Sequence, residues 1–542
     1  MTANIAETLD AVARDQGPAI GLVEVRSGRA LTFAELSRRS SAYARYLQQR
    51  GVRPGDRTML MVRPSADFIC LTFALFKLGA PVILIDPGMG YANLRRCIEG
   101  VRPRILIGIP QALVFARLFP RPFATVRHRF CCGFSAGVFG PDISRAIDRD
   151  PGDFPCHVPA ADDLAAIIFT TGSTGPPKGV RFEHTIFAAQ LRLIREYYGI
   201  TADDVDQPAF PLFALFSTAL GARAIIPDMD PTRPAQVDPA TFIASINRHQ
   251  VTYSFGSPAI WNVVSRYCID KGIVLPSLRQ VLMAGAPVPG ELLERVSAIL
   301  LPGAVIHTPY GATESLPIVS MQGAEILAST WPLSRQGQGT CVGRALPGIE
   351  IKVIRIVDDA IPEFSAVEEL PPGEIGEIIV RGAVVTRAYE NNEEETRLAK
   401  IRDGRTLWHR MGDTGYLDAA GRLWFCGRKA HRVVTRAGTL FTIPCEAIVN
   451  EHPAVYRSAL VGIPCAGAPG TKEAVLIVEP QRSSPPEAEL LREVRELAGE
   501  HPLTRDIRHF LIHRDFPVDI RHNAKIFREK LAVWAATRVK AA

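Results

Sequence analysis

The sequence predicts an α/β protein with a β-rich subdomain and a small C-terminal domain behind it. Three observations carry the prediction. Short apolar runs ended by Gly or Pro turns alternate with segments of helical periodicity as far as Gly348, which favours largely parallel sheets covered by helices. Past Gly348 the alternation becomes strand-like, with a Pro-Pro-Gly turn at 371–373. After Gly427, strand-like residues lead to a helical run at 525–539.

The elements follow in chain order. Residues 31–49 are expected to be helical, because Thr32 and Glu35 stand in capping-box order and Leu36, Tyr43 and Leu47 follow on one face. Residues 68–86 form the most apolar stretch, which Lys77, Gly79 and Pro81 break into about nine apolar residues and a short strand. A bilayer span needs ~20 such residues, so the prediction is a buried helix and then a strand at 82–85. Further buried strands are expected at 165–169, 281–283 and 305–306, and in the β-rich part at 350–357 and 377–380. The main boundary is placed at Gly427–Arg428, giving domains 1–427 and 428–542.

Composition narrows the class. A chain of 542 residues, 47% hydrophobic and 22% charged, is long enough for two or more globular domains. Its net charge of +6 arises from 62 basic and 56 acidic residues spread along the chain, with no basic tract of the kind that grips nucleic acid. The first residues carry Glu7, Asp10 and Asp15 without an apolar run, so no signal peptide is read there. Ten scattered cysteines contain no C-x-x-C pair, which argues against a zinc site or a disulfide framework. A cytoplasmic location with reduced thiols is expected.

Four motifs carry chemistry. FTTGSTGPPKGV at 169–180 follows an apolar strand. Thr170, Thr171, Gly172, Ser173, Thr174 and Gly175 offer hydroxyls and freed backbone N–H groups that can wrap an anion. Lys178 adds a cation, but Gly179 and Val180 follow it, so no neighbouring hydroxyl can serve Mg²⁺ as in a nucleotide-hydrolysing P-loop. In YGATE at 310–314, Tyr310 can stack on a purine, Thr313 can donate to a phosphate, and Glu314 can hold Mg²⁺. GDTGYLD at 412–418 offers Asp413 as acceptor for the hydroxyls of a ribose, although hairpin turns have the same composition. NAKIFREKL near the C-terminus places Lys525 at the start of a helical run.

In this order and spacing the set resembles the acyl-adenylate-forming superfamily of acyl-CoA synthetases, luciferases and adenylation domains, over nearly the whole chain. LTFAEL at 31–36, KLGAPVILIDP at 77–87, AGAPVP at 284–289 and GEIGEIIVRG at 373–382 support it. The resemblance implies two α/β subdomains plus the β-rich one in the large domain, and a mobile C-terminal domain. It implies ATP and Mg²⁺: Thr170 to Lys178 around the β- and γ-phosphates; Gly285, Ala286, Pro287, Tyr310 and Gly311 around the adenine; Thr313 on the α-phosphate; Glu314 on Mg²⁺; Asp413 and Arg428 on the ribose. Lys525 would bridge the substrate carboxylate and the α-phosphate.

Departures sharpen the expectation. Ala214 stands where relatives carry a histidine or aromatic residue, Ala430 where they carry an Asp or Lys hinge, and Ala524 where glycine commonly precedes the lysine; Gly438 comes one residue late. PDMDPTRPA at 227–235, FGSPA at 255–259, WFCGRKAHRV at 424–433 and FPVDIRHNAKI at 516–526 resemble the β-lactone synthetases of bacterial long-chain olefin pathways. That resemblance implies activation of a β-hydroxy fatty acid as its adenylate, ring closure by its own hydroxyl, and no need for CoA; the lipid-like product adds the expectation of loose association with a membrane or with pathway enzymes. A fatty-acyl-CoA ligase and an inactive ligand-binding homologue are the alternatives. Residues 210–226 line an alkyl channel or form ordinary core; His184, His307 and His431 are candidates for the base, and none is assigned.

Overall fold

The computed structural model describes residues 3–148, 152–170, 176–465, 468, 470–518 and 526–539. Two sheets form the α/β part. One has six strands in the order His128–Cys131, Ile105–Gly108, Thr58–Met61, Val82–Leu84, Leu164–Thr170 and Lys178–Glu183, all parallel except the last. The other has seven, running Val305–His307, Gln280–Met283, Tyr253–Gly256, Val205–Asp206, Arg223–Ile226, Ile20–Glu24 and Arg29–Thr32. Only the last of these is antiparallel.

The β-rich part is an antiparallel sheet of eight strands that includes Tyr310–Ala312, Ser315–Ser320, Thr406–Leu417 and Leu423–Arg428. A small C-terminal domain follows, with a three-stranded sheet (Val455–Pro464, Lys472–Pro480, His509–Ile512) and the helices Thr442–Asn450, Glu487–Glu500 and Arg528–Val539. The sheets are thus mixed, and parallel pairing dominates only the two α/β sheets.

Local chemistry explains the elements. The first predicted helix runs Phe33–Gln49, two residues later than expected at its start. Thr32 Oγ1 accepts from the Glu35 N–H at 3.2 Å and Glu35 Oε2 accepts from the Thr32 N–H at 2.8 Å, so the capping box is present. Leu31 instead pairs with Leu22 in a strand. The apolar stretch is the helix Ala66–Leu78, ended by Gly79 at φ +68°, a conformation open to glycine without cost. Lys77 does not interrupt it. Its ammonium is buried within the helix bundle and donates to Asp10 Oδ1 at 2.6 Å and to Ser41 Oγ at 2.9 Å. Among the described residues no helix is long and apolar enough to cross a membrane.

Candidate active site

A cavity of about 2270 Å³ opens between the large domain and the C-terminal domain. Small-molecule pockets measure ~300–1,000 Å³, so this one has room for a nucleotide together with a long acyl group. Gly285, Ala286 and Pro287 line it from the turn after Gln280–Met283, with Gly285 at φ +93°. Tyr310, Gly311, Thr313 and Glu314 line it from the short hairpin between Tyr310–Ala312 and Ser315–Ser320. Asp413 and Arg428 face each other across two antiparallel strands, in register. The Gly- and Asp-rich segment around Asp413 is therefore the interior of the long strand Thr406–Leu417 and not a hairpin turn. Pairing with Arg428 holds Asp413 on one side, and on the other it lies in an irregularity of the ladder between Arg410 and Thr414.

Asp413 is 4% exposed. Its Oδ2 accepts from the Tyr310 hydroxyl at 2.5 Å, and Arg428 Nη1 stands 3.0 Å from Oδ1. The carboxylate in turn holds the guanidinium charged: Asp413 is the main cause of a pKa for Arg428 raised above its ordinary value. Tyr310, Asp413 and Arg428 thus form one polar cluster around the buried Asp413, with the Arg428 side chain partly exposed to the cavity, and its chemistry suits a sugar with two adjacent hydroxyls.

The loop after Leu164–Thr170 returns as Lys178–Glu183, antiparallel, with Thr170 opposite Lys178. The strands on either side of it pair with each other, so among the described residues it leads into a strand and not into a helix as a P-loop does. Thr171, Gly172, Ser173, Thr174 and Gly175 lie outside the described residues, as do Ala524 and Lys525. Lys178 lines the cavity, donates to Glu395 Oε2 at 2.5 Å and lies 5.3 Å from the centre of the Tyr389 ring. The Tyr389 hydroxyl donates to Glu314 Oε1 at 2.7 Å, and the Thr386 N–H donates to the Glu314 carbonyl at 2.9 Å. One chain segment, 386–395, therefore ties the loop lysine to the acidic residue of YGATE.

The residues present fit a nucleotide with its divalent cation. The cavity holds a carboxylate, Glu314, beside a hydroxyl, Thr313, which is the hard-oxygen donor set Mg²⁺ takes. The hydrogen bond from Tyr389 engages only one oxygen of that carboxylate.

Three residues of this network carry no sequence signal. Tyr389 and Glu395 read as part of a polar loop and helix. Lys400 reads as a solvated lysine, yet it is buried and its ammonium donates to the Thr386 carbonyl. Burial pushes it down to about 7, with Glu314 and Glu183 opposing.

One side of the cavity is apolar. Phe210, Leu212, Phe213 and Phe216 line the cavity, and Phe213 stacks on Phe255 with ring centres 3.9 Å apart. Within residues 210–226, Phe210, Leu212, Phe213 and Phe216 line the cavity, whereas Ala214 and Leu215 are fully buried in the core behind this wall. Of the three histidines, only His431 lines the cavity, with Nε2 2.9 Å from Glu529 Oε1. His184 packs against Phe76 and His307 against Tyr198. Burial lowers both to about 4, so they are neutral near pH 7. From the C-terminal domain, Thr442, Ile526 and Arg528 reach the cavity, which puts the neighbour of Lys525 at its edge.

Comparison with known proteins agrees with this geometry. Residues 9–390 match the family described as AMP-binding enzyme. The chain is 44% identical to an olefin beta-lactone synthetase of Xanthomonas campestris pv. campestris, across 98% of this chain and 97% of that protein. It is also 44% identical to an olefin beta-lactone synthetase of Stenotrophomonas maltophilia, across 94% and 92%. Among solved structures, the amide bond synthetase McbA from Marinactinospora thermotolerans superposes with a TM-score of 0.80 at 22% identity, covering 98% of this chain and 99% of that one. ATP-bound MatB from Rhodopseudomonas palustris superposes at 0.78 with 23% identity, covering 99% of each. These two share the fold. The family match and the near-complete relatives go further, and the chain belongs to the AMP-binding enzyme family.

Proposed function

We propose that the protein activates a β-hydroxy fatty acid as its acyl-adenylate, releasing pyrophosphate, and then closes a β-lactone with release of AMP and without CoA. The observation that carries this is the 44% identity to olefin beta-lactone synthetases along nearly the whole chain. The cavity supports it by placing an aromatic, apolar wall and the nucleotide-side residues in one space.

In the first step a carboxylate attacks the α-phosphorus of ATP. Two anions must meet, so neutralising charge is the main requirement. Asp413 and Arg428 hold the ribose, Tyr310 with Gly285, Ala286 and Pro287 frames the adenine, and Thr313 donates to the α-phosphate. Thr170 to Lys178 grips the β- and γ-phosphates. Lys525 bridges the acid and the α-phosphate. Glu314 would hold Mg²⁺, which supplies further neutralisation when bound. In the second step the substrate's own hydroxyl attacks the acyl carbon and AMP leaves. Intramolecular attack draws on effective molarities of ~10⁵–10⁸ M, so positioning replaces an external thiol.

We place the reaction in the cytoplasm, with handover to pathway enzymes, and the domain boundary at residues 427–428. An acyl-CoA ligase is the second reading, favoured by similarity to the 4-chlorobenzoate–CoA ligase of Arthrobacter sp at 27% identity across 97% of this chain. Incubation with ATP and a 3-hydroxy fatty acid, with and without CoA, separates the two by mass spectrometry. Lactone without CoA supports the first reading. Thioester formed only with CoA would establish the second.

A further inference from the structure

A buried polar cluster stands among the apolar residues of the cavity wall. Asp206, Ser217 and Tyr253 all line it, among Ala209, Phe213, Phe216 and Phe255. Asp206 is 1% exposed, Ser217 1% and Tyr253 5%. The Ser217 hydroxyl donates to Asp206 Oδ2, and the Tyr253 hydroxyl donates to Ser217 Oγ at 3.1 Å. Asp206 Oδ1 is buried with no hydrogen-bond partner among the described residues. Burial accordingly pushes Asp206 up to about 8, so the group is neutral at pH 7.

A buried polar atom without a partner costs about 1–3 kcal/mol, and native proteins rarely leave one so. Whether the proton of Asp206 sits on Oδ1 or Oδ2, Oδ1 keeps one hydrogen-bonding position open. A hydroxyl both donates and accepts, and so fills it in either case.

The position of this group excludes the β-hydroxyl that closes the ring. Asp206 pairs with Tyr253, the first residue of Tyr253–Gly256. In α/β sheets ligands bind beyond the carboxyl ends of the strands, which here is the end of Tyr253–Gly256 where Gly256 accepts from the Ala284 N–H at 3.2 Å. Three residues of strand measure about 10 Å. The site therefore meets the chain well below the acyl carbon.

We propose that Asp206, supported by Ser217 and Tyr253, is a hydroxyl-binding subsite in the wall of the alkyl cavity. It takes a hydroxyl carried partway along the substrate chain, or a fixed water in the same place. The proposal rests on the cavity being the acyl pocket of the reading above, and it adds a specificity determinant to that pocket.

The test measures pyrophosphate release for long-chain 3-hydroxy acids with no second hydroxyl, or with one moved stepwise along the chain. Wild type, Asp206→Asn and Asp206→Leu are compared, with thermal unfolding as a check on folding. If the substrate supplies the hydroxyl, wild-type kcat/KM peaks at one chain position by about tenfold or more. Asp206→Asn keeps the peak and Asp206→Leu loses it while still activating the plain acid. If water supplies it, the profile is flat, a crystal structure with the plain acid shows a water on Oδ1, and Asp206→Leu improves kcat/KM for plain chains. A flat profile with a dry Oδ1, or profiles that coincide in wild type and Asp206→Leu, would overturn the subsite alone. Release of no pyrophosphate by wild type with any of these acids would overturn the acyl-pocket reading and the subsite together.

Discussion

Arg528 is the perturbation that best tests how the C-terminal domain presents its lysine. Glu446 lies almost fully buried in the helix Thr442–Asn450. Arg528 Nη2 donates to both its oxygens, at 2.8 and 2.7 Å, and the Leu460 N–H donates to Oε1 at 2.8 Å. The pair fastens the start of Arg528–Val539 to the domain core, and Lys525 lies just before that start in the chain. Truncating one member of a buried pair leaves the other charge without compensation and costs about 3–5 kcal/mol. Burial already raises the Glu446 carboxyl above its ordinary range, so in Arg528→Met it takes up a proton and the loss falls at the lower end. A displacement of about 1 Å at a catalytic group costs ~10²-fold in rate. Arg528→Met is therefore expected to lower the unfolding free energy of the C-terminal domain by about 3 kcal/mol and ATP–pyrophosphate exchange by about 10- to 100-fold. The double variant Glu446→Leu/Arg528→Met, which removes both charges, regains most of the stability but not the exchange. Urea titration and labelled pyrophosphate exchange read the two quantities. Wild-type exchange in a destabilised Arg528→Met protein would refute the positional argument, and so would full recovery of exchange in the double variant.

Three further outcomes are expected. Lys525→Ala leaves the fold intact and cuts adenylation ~10²–10³-fold, the usual cost of one charge-stabilising group; retention of more than half the exchange rate removes Lys525 from the mechanism. Glu395→Gln frees Lys178 from a partly exposed ion pair worth ~0.2–1 kcal/mol, so KM for ATP falls about 1.5- to 5-fold, and an unchanged or raised KM contradicts the assignment of Lys178 to the phosphates. His184 is neutral in the folded state down to about pH 4, whereas the unfolded chain protonates it below ~6.5. Because the unfolded state binds more protons between those values, this contribution to stability is complete above ~6.5 and is lost as pH falls toward 4. The stability advantage of wild type over His184→Gln, read from denaturant midpoints, should shrink by about 2 kcal/mol from pH 7 to 5; a difference that stays constant would show that His184 is not buried as a neutral ring.

Much of the fold and half of the site could be read in the residues, for physical reasons that differ from place to place. Buried strands such as Gln280–Met283 announce themselves because apolar runs between turn residues have few other uses. The capping box at Thr32 and Glu35 is local chemistry and fixes a helix start within two residues. Pairing across the chain leaves no such trace. Leu31 joins a strand because Leu22 lies beside it, and Asp413 sits inside a strand because Arg428 and its neighbours pair there. The contact of Lys178 with Glu395 spans 217 residues, and that of Tyr389 with Glu314 spans 75. Lys400 and Asp206 look like ordinary surface charges until the packing encloses them. The family motifs name residues that line one cavity, and the segment 386–395 that ties Lys178 to Glu314 came only with the structure.

The central claim is that an acid activated as its adenylate is then attacked by its own hydroxyl. Purified protein with ATP, Mg²⁺ and a 3-hydroxy fatty acid, in the absence of CoA, tests it by mass spectrometry. The account predicts β-lactone and AMP in equal amounts, with 3-deoxy acids giving no lactone. Thioester that forms only when CoA is added, with no lactone under either condition, would contradict it.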